Sequence, residues 1–372
     1  MKVLWLSWKD RTHPEAGGAE VVKDELCKRL IADGHQVTQL VGGYPGAEGE
    51  VNHDGIRVIR VGGFYTVYFL APFYYFRHLR NWADIIIEEV NTAPFGTPYL
   101  YPKKQSTKRF LFIHQLTREI WFYEKIPFPF TYFFYYLEPV LLWLQRTMQV
   151  ITISESTKND LKQYGFQDIN IHIISEGLKD VTPISSLDAI QKYDRPTLLS
   201  FSAMRPMKRT LDIIKAFEIA KQSIPDLQLL IAGDDSGAYV TECKTYIASS
   251  PHKNDITVLG RVSQKKKFEL MQKSHLHASC AIREGWGLTI TEANSQGTPA
   301  VAYDTPGLRD SIRSGVTGVL TRESTPASLA DAMVSILKDP EQYATLRRRA
   351  WEWSHDITFD QSYTDFKKAL TI

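Results

Sequence analysis

Two glutamates stand eight positions apart in the run R-E-G-W-G-L-T-I-T-E-A-N-S-Q-G-T-P at 283–299. Glu284 is followed by Gly285, Trp286 and Gly287, and Glu292 lies beyond Leu288 and Thr289. Glycines let backbone N–H groups approach a ligand closely. The residues from Leu288 onward suit a helix, and Gly297-Thr298-Pro299 ends it. Gly287, Leu288 and Thr289 then sit at a helix N-terminus, where free N–H groups and the dipole favour an anion. A glycosidase pair is a poor fit. Eight helical residues at roughly 1.5 Å each span about 12 Å, whereas carboxylates that cleave glycosides stand about 5–9.5 Å apart. The spacing suits an extended ligand with a carboxylate at each end and an anionic group between them: a sugar, a diphosphate and a ribose in line. An ordinary loop–helix unit with two solvated glutamates is the alternative.

A diphosphate leaving group needs cations where negative charge develops. The run S-A-M-R-P-M-K-R at 202–209 supplies Arg205 and Lys208 in the turn after an apolar run, although a basic surface turn would look the same. Arg209 is expected in solvent. Near the N-terminus, the apolar run 3–6 leads into a loop with Gly17, Gly18 and Glu20, then a helix whose Val22, Leu26, Leu30 and Ile31 share one face. The glycine pair suits close approach to a phosphate or sugar at a strand end. It is not G-x-G-x-x-G, so a nicotinamide or flavin site is not expected. His114 closes another apolar run in F-L-F-I-H-Q-L, where a lone histidine is more often structural than catalytic.

These residues need strands and helices to hold them. Runs at 3–6, 36–41, 56–61, 85–88, 109–113, 149–154 and 171–175 read as strands of one α/β domain. A second series begins at 196–201 and continues at 227–232, 256–259 and 276–280. The polar, turn-rich stretch 176–195 reads as a linker. With 372 residues the chain is too long for one core and should form two domains, 1–175 and 196–352, with 353–372 crossing back to the first. Lys265, Lys266 and Lys267 read as a solvated helix face. A net charge of +2 gives no reason to expect a nucleic-acid partner. Three scattered cysteines and the absence of an apolar leader point to a reducing, cytoplasmic setting.

Over most of its length the chain resembles the retaining GT-B glycosyltransferases of glycosyltransferase family 4. The 283–299 run matches that family's E-x7-E motif, 300–320 looks like its continuation, and Ser154, Glu155, Lys158, Asp160 and Leu161 match its S-E-x-x-K-x-D-L pattern. The resemblance implies two Rossmann-like α/β/α domains facing an interdomain cleft, and retaining hexosyl transfer from a nucleotide-diphosphate sugar without metal or other cofactor. It implies that Glu284 grips the sugar hydroxyls while Gly285, Trp286, Gly287, Leu288 and Thr289 serve sugar and phosphate. Glu292 would hold the ribose, the turn Gly260, Arg261, Val262 the base, and Lys208 with Arg205 the diphosphate. Gly17 and Gly18 would lie near the diphosphate and acceptor, and His114 near the transferred sugar. One departure stands out: the family's arginine five positions before the lysine is Ala203 here, so only Lys208 carries over directly. A catalytically silent sugar-nucleotide binder and a GT-B epimerase are the competing readings.

The stretches 64–76 and 121–143 are crowded with Phe, Tyr and Trp, and Glu138 is the only charge between Ile126 and Leu144. Pro127, Pro129 and Pro139 with that carboxylate make a poor membrane span. The stretches are then either a packed acceptor-side wall or a surface that dips into the lipid interface at the inner face of the cytoplasmic membrane. In the second case Lys103, Lys104, Lys108 and Arg109 would add attraction to anionic lipid, and the acceptor would be a lipid-linked sugar or a membrane-bound glycan precursor.

Overall fold

The computed structural model describes all residues except 92, 102–105, 124–125 and 183. It divides into two units, 1–179 with 358–372, and 180–357.

Unit 1 carries an eight-stranded sheet. Its elements run β1 (Lys2–Leu6), α1 (Gly18–Ala32), β2 (Gln36–Val41), β3 (Glu50–His53), β4 (Ile56–Arg60), α2 (Val67–Tyr74), β5 (Ile85–Glu89), α3 (Thr97–Leu100), β6 (Lys108–Ile113), α4 (Phe130–Gln145), β7 (Gln149–Thr152), α5 (Glu155–Gln163) and β8 (Ile171–Ile173). The order is β3-β4-β2-β1-β5-β6-β7-β8, all parallel except β3 against β4. Helices on both faces explain why β1 and β5 read as continuous apolar runs. Leu4 and Leu6 pack under α2 with Ile86, Phe95 and Tyr101. Trp5 points to the other face, against Phe112 at 5.5 Å and Phe366 at 5.9 Å.

Phe366 belongs to the last helix of the chain, which is why the tail joins unit 1. The crossing begins at Thr358; Trp351 and Trp353 stay in unit 2, where the Trp353 ring carries the Arg313 guanidinium at 4.7 Å.

Unit 2 continues with β9 (Thr197–Phe201), α6 (Thr210–Lys221), β10 (Gln228–Ala232), α7 (Ala238–Ser249), β11 (Ile256–Gly260), α8 (Gln264–Lys273), β12 (Leu276–Ser279), α9 (Leu288–Ser295), β13 (Ala300–Ala302), α10 (Leu308–Ser311), β14 (Gly318–Leu320), α11 (Pro326–Lys338) and α12 (Pro340–Ser354); α13 (Phe359–Leu370) is the helix returned to unit 1. Its six parallel strands are ordered β11-β10-β9-β12-β13-β14. The core lies between this sheet and the helices that flank it, with Phe217, Leu229, Met333 and Ile336 on one side and Phe268, Met271 and Ala293 on the other.

Two expected lipid-facing cations are engaged inside unit 1 instead. Lys108 Nζ caps the C-terminal end of α13 through Leu370 O (3.0 Å) and Thr371 O (3.1 Å). Arg109 donates to the carbonyls of Thr97 and Tyr101. Lys103 and Lys104 lie outside the described residues. Among the described residues no helix is long and apolar enough to cross a membrane.

Candidate active site

In unit 2 the strand β9 lies between β10 and β12, so the winding of the sheet reverses there. Ligands of doubly wound sheets bind beyond the C-terminal strand ends at such a switch point. The loops leaving it are 202–209 after β9 and 280–287 after β12, and they hold Lys208 and Glu284. Backbone bonds fix them together: Ile282 N–H donates to Met207 O (2.9 Å) and Glu284 N–H to Pro306 O (3.0 Å). Gly307 allows this approach. Its φ is +83°, and a Cβ there would fall 2.1 Å from the Glu284 carbonyl oxygen.

The outcome is a direct contact of Lys208 Nζ with Glu284 Oε1, both side chains about one-fifth exposed (21% and 20%). Gly287 follows as the N-cap of α9 with φ +91°, a left-handed conformation that favours glycine, and Leu288 opens the helix. Gly285 and Trp286 are half-buried in the loop between. Thr289 Oγ1 lies 3.2 Å from His277 Nε2.

Farther along α9, Glu292 Oε1 accepts from Lys267 Nζ at 2.5 Å. Glu292 Oε2 has no partner among the described residues. Burial pushes the Glu292 carboxyl up, and Lys267 pulls it back. Lys267 therefore departs from the solvated face expected for the triple lysine; only Lys265 of the three is exposed. The helical spacing carried a signal, since Lys267 and Met271 are four apart on the covered side of α8.

The other predicted residues fall as follows. Arg205 is the exposed N-cap of the short turn Pro206–Lys208 and has no side-chain partner among the described residues, so it is not brought to Glu284. Arg209 is not simply solvated: its φ is +52°, and its guanidinium lies 5.8 Å from the Tyr303 ring and 3.9 Å from Asp212. Gly260, Arg261 and Val262 leave β11 beside the end of β10, where Gly233 N–H donates to Gly260 O (2.9 Å) and Arg261 pairs with Asp234 (3.1 Å).

Unit 1 has its own switch point, at β1 between β2 and β5. A buried ionic cluster sits there. Lys23 Nζ reaches Ser7 Oγ (2.6 Å), Lys9 O (2.6 Å) and Glu89 Oε2 (3.1 Å). Glu89 also accepts from Trp5 Nε1 (3.2 Å) and Asn91 Nδ2 (3.1 Å). Glu20 accepts the Gly17 N–H at 2.7 Å, the half of a capping box that can form when the N-cap is glycine. Gly18 begins α1. Gly17 itself is extended (φ −133°), and a Cβ there would meet nothing closer than 3.8 Å, so the fold does not demand glycine at this point. His114 Nε2 stands 3.8 Å from Glu89 Oε1. Burial pushes the imidazole down to about 4, so it is neutral at neutral pH. Lys23 and Glu89 escaped the sequence reading, although two glutamates closing the apolar run I-I-I-E-E were a visible oddity.

Two family models match the chain, one in each unit: "Glycosyltransferase Family 4" over 16–180 and "Glycosyl transferases group 1" over 188–353. The chain belongs to glycosyltransferase family 4. Among its relatives, trehalose synthase of Pyrococcus horikoshii is 28% identical over 193 residues, covering 49% of the chain and 46% of the relative. N-acetyl-alpha-D-glucosaminyl L-malate synthase of Bacillus anthracis is 26% identical over 189 residues, covering 51% and 47%. The chain thus spans about half the length of the curated relatives it matches.

Solved structures are similar across the whole chain. Sucrose-phosphate synthase of Thermosynechococcus elongatus superposes with a TM-score of 0.77 at 17% identity, covering 100% of this chain and 98% of that one. HepE of Anabaena, solved in complex with UDP and glucose, gives 0.73 at 17% identity, covering 100% and 99%. The fold of the family 4 chain is GT-B.

Proposed function

We propose that this family 4 chain is a retaining, metal-independent hexosyltransferase that uses a nucleotide-diphosphate sugar. The observation that carries the proposal is the pair of carboxylate–lysine contacts, Glu284 with Lys208 and Glu292 with Lys267, at the two ends of one loop–helix unit on the switch point of unit 2. Lys208 exchanges Glu284 for the diphosphate as charge builds on the leaving group. Arg205 joins it only if its exposed turn moves inward. Glu284 binds the hydroxyls of the transferred sugar, and the N–H groups of Gly285, Trp286, Gly287, Leu288 and Thr289 serve the sugar and phosphate. Lys267 fixes one oxygen of Glu292 and leaves the other for the ribose. Gly260, Arg261 and Val262 offer backbone groups to the base.

Unit 1 meets the acceptor through Gly17, Gly18 and His114. As a neutral imidazole, His114 offers a hydrogen bond rather than a charge. The acceptor hydroxyl attacks C1 from the face of the leaving group. The C1–O bond to phosphate breaks, the new C1–O bond forms, and the hydroxyl proton passes to the departing phosphate oxygen.

Water as acceptor gives a test that needs no acceptor identity. An α-linked donor should release the α-sugar first, as followed by NMR before mutarotation, and the rate should be unchanged by excess EDTA. First release of the β-sugar would refute retention, and abolition by EDTA would refute metal independence. Release of no sugar from a donor that binds, with candidate glycan, lipid-linked and small-molecule acceptors also present, would indicate a silent binder.

A further inference from the structure

Helix α4 is turned inside out. Its only charge, Glu138, is buried together with Thr131, Leu142 and Gln145. Phe133, Tyr136, Val140, Trp143 and Leu144 face outward at helical spacing, with Tyr136 67% and Trp143 52% exposed. Helix α2 repeats the pattern: Val67 and Ala71 are buried, while Phe69, Leu70 and Phe73 are exposed, Phe73 at 75%, and Phe76 extends the stripe past the helix end.

The two stripes belong to one surface. The Tyr68 ring lies 4.7 Å from Phe95 and Tyr75 lies 4.9 Å from Tyr101, which docks α2 on the segment 95–101. From the same segment Tyr99 Oη donates to Leu144 O at 2.8 Å, which ties α4 to it. Tyr99 and Leu100 of that segment are exposed as well. A continuous apolar surface of this kind marks an interaction site rather than ordinary scatter.

We propose that unit 1 docks through α2, 95–101 and α4 on the surface of an anionic lipid bilayer. Charge selects this occupant. The stretches 64–80 and 126–146 contain no carboxylate other than the buried Glu138, while Arg77 and Arg80 follow α2 and Arg146 follows α4. Two of these arginines lie over exposed rings of the surface, Arg80 on Phe76 at 4.8 Å and Arg146 on Trp143 at 3.8 Å. Apolar side chains with Tyr and Trp, edged by cations, match the chemistry of the headgroup boundary. At 16 residues α4 lies along the boundary rather than crossing it. The docking surface belongs to unit 1, whereas the Lys208–Glu284 and Lys267–Glu292 contacts belong to unit 2, and the proposal does not depend on their assignment.

Sedimentation of the full chain with phosphatidylcholine vesicles, with and without phosphatidylglycerol, tests the proposal. The wild type should sediment with the anionic vesicles, more weakly with the neutral ones, and less at high salt. Phe69→Ser, Phe73→Ser, Tyr136→Ser and Trp143→Ser combined should cut binding at least about tenfold. Arg77→Ser, Arg80→Ser and Arg146→Ser combined should remove the preference for anionic lipid, a second readout should the serine variant fold poorly. A wild type that stays in the supernatant with both vesicles overturns the proposal. So does a concentration-dependent dimer, seen by light scattering, that the four-serine variant dissolves; the surface would then join two copies of this chain.

Discussion

Replacing Lys208 by alanine is expected to lower sugar release from the donor by on the order of 10²–10³-fold, while the unfolding midpoint barely moves. The two magnitudes separate function from structure. A partly exposed ion pair contributes roughly 0–1 kcal/mol to stability, and Glu284 and Lys208 are each about one-fifth exposed. The Cα traces around the pair are held by backbone bonds from Ile282 and Glu284 that do not involve the lysine side chain. Loss of a cation held against the diphosphate weakens donor binding and, more strongly, the transition state in which negative charge builds on the leaving group. Steady-state kinetics and a melting curve on the same preparation check this. A rate within about threefold of wild type would mean that Lys208 is a surface lysine.

Replacing Glu138 by alanine is expected to cost about 3 kcal/mol of stability or more. Its carboxylate accepts from Thr117 N–H (2.7 Å), Arg118 N–H (2.8 Å) and Trp121 Nε1–H (3.0 Å). Each buried donor left unsatisfied costs about 1–3 kcal/mol, only partly offset by no longer burying a carboxyl. Burial pushes Glu138 up, and those same N–H donors pull it back. Arg118 sits at φ +40°, a conformation that needs support from its surroundings. Urea denaturation measures the loss, and Glu138→Gln, which keeps the shape and an acceptor, should recover part of it. A loss under about 1 kcal/mol would show that the turn after His114 holds itself.

Glu138 also shows where sequence reasoning stops. As a lone carboxylate among aromatics it argued against a membrane span, yet nothing in its neighbourhood named partners some twenty residues earlier. Strands read best where both faces are covered: β2 agrees with the apolar run 36–41, and β1, β5 and β6 fall within a residue or so of theirs. The strand β3 was missed because Glu50-Val-Asn-His is a polar edge, although the Asp54-Gly55 turn after it is a hairpin signal. The three-residue strands β13 and β14 are too short for any periodicity to register.

At the site, Glu284, Lys208 and Glu292 were legible because motif and loop chemistry are local. Lys267, Gly307, Lys23 and Glu89 depend on which loops a parallel sheet brings side by side. Gly307 lies in T-P-G, which signals a turn but not that the turn presses on the Glu284 carbonyl. Lys23 and Glu89 meet only because β1 and β5 are neighbours.

Binding of a nucleotide-diphosphate sugar at the two carboxylate–lysine contacts of unit 2 is most directly tested by thermal shift against a panel of such sugars and their nucleotides. Wild type, Lys208→Ala and Glu292→Gln would be run together. One donor at about 100 times its dissociation constant should stabilise the wild type by about 2.7 kcal/mol, and both variants should lose most of that shift at the same concentration. A panel in which nothing shifts the wild type, or in which both variants shift as far as it does, would contradict the assignment.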